Sequence, residues 1–288
     1  MATPIGNSRD ITLRALDVLG AADLIACEDT RVSAKLFTLY GISGTTLAYH
    51  DHNAAQMRPR LLRALQEGKI VALVSDAGTP LIADPGWRLA REAVAAGHYV
   101  TALPGASAPT MALTLSGLPS DRFLFAGFLP ERSAERKRAL RELAGVPATL
   151  IFFDSPRRLA DSLADALAVL GDRPAAVARE LTKLFEEVRR GSLSELAAHY
   201  ATADTPKGEI VLLIGPPPED AAPQDQAGAI DAALRQAMRG SSLKQAVADV
   251  AAELGLKRRD VYARALRLKE DGGADASDGA PDGANDGE

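Results

Sequence analysis

The amino-acid sequence predicts an α/β protein with a two-lobed body, built on a mainly parallel sheet in the first lobe and a mixed sheet in the second. A small C-terminal helical module of helix-turn-helix character follows. Three observations predict this. Apolar strand-like runs alternate with amphipathic helical spacing between residues 8 and 214. Ile70-Val71-Ala72-Leu73-Val74 is a continuous apolar run of the kind that a parallel strand covered on both faces requires. Beyond residue 214 comes a stiff Pro-rich spacer, residues 215–223, that cannot pack as an element, and three short helical patterns follow it.

In the first lobe, residues 1–115, apolar spacing of three and four predicts a helix over 11–19 with Asp10 as its N-cap. Strands are predicted over 22–27, 70–74 and 99–103. Helices are predicted over 31–40, 57–67 and 85–96, ended by Gly41, Gly68 and Gly97. A loop-rich middle leads into the second lobe, residues 116–216, with the boundary near 112–121. Its strands are predicted over 122–128, 149–153, 175–181, 186–191 and 209–214. Its helices are predicted over 133–144 and 156–170, with a further one through Tyr200 capped by Ser192 or Ser194. A linker, 217–226, precedes helices near 227–238, 242–254 and 258–269. The Gly- and Asp-rich tail, 271–288, is expected to be disordered.

Composition limits the function classes. The chain has 288 residues, 47% hydrophobic and 25% charged, as in ordinary globular proteins, and no apolar run approaches membrane-spanning length. The start, MATPIGNSRD, lacks a basic stretch followed by an apolar one, so no secretory signal is read there and a cytoplasmic location is expected. Cys27 is the only cysteine, which excludes an internal disulfide and a four-cysteine zinc site. The net charge of −5 hides a basic segment behind the acidic tail: residues 227–269 hold nine Lys/Arg against four Asp/Glu. That excess suits a nucleic-acid contact, although basic helical faces are more often simply solvated.

Three Gly/Pro-rich loops follow strand-like runs or open the chain: Thr3-Pro4-Ile5-Gly6-Asn7, the loop from Ser75 to Gly86, and Pro104-Gly105-Ala106-Ser107-Ala108-Pro109. Open α/β sheets bind ligands at such strand ends, and Gly lets backbone approach a ligand closely. Neither a dinucleotide fingerprint nor a P-loop is present. Candidates for chemistry are Glu28, Asp29 and Arg31 just past a strand, His50 and His52, and Glu180 with Lys183. For the first group a charge cluster at a helix N-terminus is the competing reading, and for the last a structural ion pair. His50-Asp51-His52 has no further histidine in a related context, so no metal is expected. Asp154 to Arg158 and the run Arg132, Arg136, Lys137 and Arg138 are candidate phosphate contacts, although for the latter a solvated helix face is the favoured reading.

These loops, with Glu28-Asp29-Thr30-Arg31, His50-Asp51-His52-Asn53, Asp84-Pro85-Gly86, the segment from Ala178 to Lys183 and Lys207-Gly208-Glu209, occur in an order that resembles the small-subunit ribosomal RNA methyltransferases of the tetrapyrrole methylase superfamily. The likeness covers about residues 2–215, and the helical module is similar to that family's C-terminal domain. The resemblance implies 2′-O-methylation of a cytidine in 16S ribosomal RNA near the decoding site. It also implies a homodimer, and S-adenosylmethionine in the cleft between lobes against Pro4, Asp76, Thr79, Ser107 and Ala108, with Phe153 closing over it. Catalytic candidates are Glu28, Arg31, His50, Glu180 and Lys183. Rival readings are a tetrapyrrole C-methyltransferase of the same superfamily and a non-catalytic RNA-binding protein that retains the cofactor fold. Family members open with a short apolar strand before the first loop, whereas this chain opens at Met1-Ala2. The first sheet is therefore expected to lack its innermost strand and the first loop to be weakly held.

Overall fold

A computed structural model describes residues 1–218, 230–231, 233–238, 240–253 and 258–271. The chain divides into two compact units, Met1–Pro217 and Pro218–Glu288. Within the first unit lie two sheets. The smaller holds β1 (Leu24–Cys27), β2 (Thr46–Ala48) and β3 (Val71–Val74) in the order β2-β1-β3, all parallel. The larger holds β4 (Phe123–Phe128), β5 (Thr149–Asp154), β6 (Pro174–Arg179), β7 (Glu187–Ser192) and β8 (Ile210–Ile214) in the order β4-β5-β8-β6-β7. Only β4 and β5 run parallel in it, so this sheet is mixed.

Helices α1 (Leu13–Ala21), α2 (Thr30–Tyr40), α3 (Ala54–Gln66) and α4 (Trp87–Ala95) accompany the first sheet. β1 is central and buried along its whole length. Ile25 and Cys27 pack with Ile11, Leu19 and Phe37 on one face, while Leu24 and Ala26 pack with Tyr49, Leu61 and Leu89 on the other. The predicted cap is corrected. Asp10 lies in a short 3-10 turn, and Thr12 caps α1 by accepting from the Ala15 N–H. Residues 99–103 are not a strand. No neighbouring strand bonds them among the described residues, and Leu103 O receives only the Ala2 N–H.

The second sheet is covered by α5 (Ala108–Ser116), α6 (Ser133–Leu143), α7 (Leu159–Leu170) and α8 (Leu193–Thr202). Strand alternation sorts its side chains. Leu150, Phe152, Val177, Ile210 and Leu212 face α6, α7 and α8, where Leu140, Leu163 and Leu196 are buried. Ile151, Ala176, Ala178, Val211 and Leu213 face α5, together with Ile5 from the first loop. The sequence pattern missed α5, because Gly105 and Pro109 read as loop. Pro109 sits in the first turn, where its missing N–H costs nothing. Arg136 is no phosphate contact: it is buried and ion-paired to Asp165 at 2.6 Å.

The second unit contains α9 (Leu243–Glu253) and α10 (Arg258–Asp271). Residues 230–231 and 233–238 are also helical, and Leu234 packs with Val247, Val250, Val261 and Ala265. Arg264 and Asp231 form a two-pronged ion pair at 2.6 and 3.0 Å. The linker beyond residue 218 and the tail beyond 271 lie outside the described residues. Among the described residues no helix is long and apolar enough to cross a membrane.

Two stability outcomes follow from this packing. Leu163→Ala empties a fully buried site between α7 and the sheet and should cost about 2–5 kcal/mol in urea unfolding. Ser192→Ala removes one half of a capping box closed by Glu195 and should cost about 1 kcal/mol.

Candidate functional site

The ends of the two sheets face each other across a cleft of about 350 Å³. The first-lobe wall is made by Ile5 of the first loop, by Ala77, Gly78, Thr79, Ile82 and Asp84 of the second, and by Ser107 and Ala108 of the third. The second-lobe wall is made by Phe128, Phe153 and Asp154 at the ends of β4 and β5 and by Gly208, Glu209 and Val211 leading into β8. The Phe153 ring is held against Phe125 and Phe128, with centroids 4.9 and 5.2 Å away. The α5 N-terminus opens onto the cleft, so its positive dipole end and unpaired N–H groups suit an anionic group.

The first loop is firmly held, contrary to the sequence-based expectation. Thr3 pairs with Gly78 through two backbone hydrogen bonds of 2.9 and 3.0 Å, and its hydroxyl donates to Ser75 O. The Met1 ammonium donates to Leu73 O, and the Asn7 N–H donates to Thr182 Oγ1 across the lobes. Gly6 passes so close to Lys183 and Thr182 that a Cβ would overlap them. The loop from 77 to 86 takes unusual backbone angles, with φ of 73° at Leu81 and 62° at Ala83, conformations that side-chain-bearing residues adopt at a cost.

Of the expected cofactor residues, Thr79, Ser107, Ala108 and Phe153 meet in the cleft. The Thr79 hydroxyl donates to Ala106 O and so ties the second loop to the third. Pro4 and Asp76 do not line the cleft. They border a second hollow of about 270 Å³ on the other side of the first loop, against α2. The Asp76 N–H donates to Glu28 Oε2, and Asp76 Oδ1 accepts from the Asp29 N–H, so this group clips the ends of β1 and β3 together.

The catalytic candidates separate. Arg31 is bound to Asp29 at 2.6 Å, and hydrogen bonds from Arg31 pull the Asp29 carboxyl down to about 2. His50 keeps a buried Nδ1 without a partner, and its ring meets His52 edge-on at 6.0 Å. Glu180 and Lys183 do not lie in a strand, since β6 ends at Arg179 and a tight turn follows, with φ of 50° at Glu180 and 62° at Thr182. Lys183 Nζ donates to Glu180 at 2.8 Å and to Glu209 at 2.9 Å. That bond holds Glu180 below the usual carboxylate range. Burial alone would lower Lys183, but its two carboxylate partners outweigh it and raise it. Among the described residues no histidine, cysteine or carboxylate cluster could hold a metal ion.

The sequence reading did not single out Asp84. Burial pushes its carboxyl up to about 6; a hydrogen bond from Ser75 opposes the shift, and the charges of Glu28, Asp76 and Asp51 add to it. The Asp84-Pro85-Gly86 motif was visible, yet nothing local in it shows that three other carboxylates gather around it.

The comparisons with known proteins agree with this geometry. A model of the tetrapyrrole (corrin/porphyrin) methylases matches residues 2–197, and one described as the RsmI C-terminal HTH domain matches residues 224–269. A protein of Mesorhizobium japonicum named ribosomal RNA small subunit methyltransferase I is 54% identical over 274 residues, covering 95% of this chain and 92% of its own. One of the same name from Escherichia coli O157:H7 is 46% identical over 268 residues, covering 92% of each. In fold, the chain is similar to a diphthine synthase (TM-score 0.57, 17% identity, 74% of this chain and 87% of that one). It is likewise similar to a uroporphyrin-III-C-methyltransferase from Thermus thermophilus (TM-score 0.53, 22% identity, 74% and 91%). With a family model matching residues 2–197 and relatives about half identical along most of the chain, this chain belongs to the tetrapyrrole (corrin/porphyrin) methylases.

Proposed function

We propose that the protein transfers a methyl group from S-adenosylmethionine to the ribose 2′-oxygen of a cytidine in 16S ribosomal RNA. We take it to act as a homodimer in the cytoplasm, on free RNA or the small ribosomal subunit. One observation carries this: relatives bearing the small-subunit methyltransferase name match the body and the helical C-terminal part together. A uroporphyrin-III-C-methyltransferase of similar fold covers only 74% of this chain, against 91% of its own.

The cleft fits the cofactor. Its volume of about 350 Å³ falls within the range for small-ligand sites, roughly 300–1,000 Å³. Ile5, Phe153 and Val211 offer apolar surface for a purine ring, and the α5 N-terminus at Ser107 and Ala108 suits the amino-acid carboxylate. Thr79 completes that wall. Pro4 and Asp76 would meet the cofactor only where it extends past Ile5. When bound, S-adenosylmethionine supplies an electrophilic methyl group, so the protein need provide no electrophile of its own.

The protein's remaining tasks are to align the acceptor oxygen and to take its proton. We assign the second task to Asp84. Its carboxylate lines the cleft, whereas Glu28 is engaged with the Asp76 backbone and Glu180 with Lys183. Glu180, Lys183 and Glu209 then hold the second-lobe wall against the first loop. The basic helical unit is assigned to RNA contact.

Labelled methyl transfer to small subunits that lack the modification tests the reading. Label on a cytidine ribose is expected; label on a base rejects the acceptor, and none despite cofactor binding rejects the enzyme. Asp84→Asn should lower kcat by roughly 10²–10⁴-fold and abolish a rise in rate centred near pH 6. The same variant should be stabilised. Asp84 keeps its proton longer in the folded than in the unfolded chain, so its contribution is lost as pH rises through about 6. Asp84→Asn should therefore raise Tm at pH 7.5 and leave it nearly unchanged at pH 4.

A further inference from the structure

The residues that follow the cleft loop form a surface that the reaction above does not use. Trp87, the only tryptophan in the chain, opens α4 and is 51% exposed. An indole half in water is a costly use of the largest apolar side chain. Two guanidiniums lie over it: Arg88 Cζ is 5.4 Å and Arg91 Cζ 4.8 Å from the ring centroid. Among the described residues neither forms an ion pair. Glu92, the helical neighbour of Arg88 four residues on, is taken by Arg58 at 2.9 Å.

Asp84 lines the cleft and Trp87 follows it by three residues, so their Cα atoms are at most about 11 Å apart. A half-exposed indole with two arginines free of ion pairs among the described residues suits an unstacked nucleotide: the guanidiniums swing from the ring to the phosphates and the ring stacks on a base.

We propose that Trp87, Arg88 and Arg91 form a stacking platform for a single-stranded nucleotide of the RNA, flanking the acceptor at the mouth of the cleft. This rests on RNA being the substrate, but it is read out independently of methyl transfer. The platform takes a base and its phosphates, whereas Asp84 takes the hydroxyl. The carboxylates around Asp84 repel a phosphate, so the strand's charge is carried outside the cleft, on Arg88 and Arg91.

The single tryptophan makes the test direct. The full-length protein is titrated with a single-stranded oligocytidine 10-mer and with an abasic 10-mer of equal charge, following Trp87 emission and, separately, the anisotropy of labelled oligomer. Saturable quenching by the base-bearing oligomer, with little by the abasic one, is expected. Trp87→Ala should weaken binding roughly 10-fold and Trp87→Phe should retain most of it. Arg91→Ala should reduce the slope of log K against log salt by about 0.7, one phosphate contact. Unchanged emission at oligomer concentrations that saturate anisotropy overturns the platform, as does equal quenching by the abasic oligomer. If methyl transfer to RNA is seen without quenching, the platform fails and the function stands; quenching without transfer leaves the platform and removes the function.

Discussion

The structure of the body depends on five residues, Thr3 to Asn7, that cross from one lobe to the other. Thr3 is bonded to Gly78 of the first lobe, Ile5 is buried against the second sheet, and the Asn7 N–H reaches Thr182. Each sheet has its own apolar core, so neither core by itself dictates where the other sits. Burying one isoleucine contributes about 1.5–3 kcal/mol, and the surrounding hydrogen bonds give it a fixed register. That register is what brings Thr79 and Ser107 opposite Phe153. Gly6 makes the crossing feasible, since any side chain there would occupy the space of Lys183.

Charge is distributed unevenly around this seam. On the second-lobe side Lys183 is neutralised by two carboxylates, and on the first-lobe side the charges of Glu28, Asp76 and Asp51 act together on Asp84. A site of that sign repels a phosphate and admits a neutral hydroxyl. It is also costly to maintain: Asp84 lies next to Ala83 in a left-handed conformation, and the like charges nearby favour its protonated form. Stability given up at such a point is the usual mark of a group placed for chemistry rather than for packing.

Local patterns in the sequence revealed what local forces decide. The apolar run that becomes β3 and the glycines at 41, 68 and 97 set element types and ends because burial and positive φ act on the residues that carry them. Residues 99–103 have strand composition but no partner strand among the described residues, and strand formation depends on a neighbour often distant in sequence. The turn at Glu180 was hidden for another reason: no glycine announces its left-handed residues, which are held by the Lys183 and Glu209 bonds. Arg136 looked like one more solvated cation until Asp165, 29 residues away, was seen to pair with it. Of the six cofactor residues that the resemblance implies, Thr79, Ser107 and Ala108 lie on the first-lobe cleft wall and Phe153 stands opposite. Pro4 and Asp76 belong to the same loops but point to the other side, a distinction that spacing does not contain.

The pairing of charges therefore decides which groups can take part in proton transfer. Asp29 is held at about 2 by Arg31, and Glu180 is held low by Lys183, so both stay ionised and engaged through neutral pH. Lys183 is raised and stays protonated, unable to accept anything. A general base works best when its own pKa lies near the working pH and when no fixed partner competes for its lone pairs. Asp84, near 6 and lining the cleft, meets the first condition, and among the described residues no ion pair engages its carboxylate. The motif residues with the most conspicuous charges are thus the ones the fold has committed to holding its lobes and loops together. The carboxylate proposed as the base is the one left among like charges.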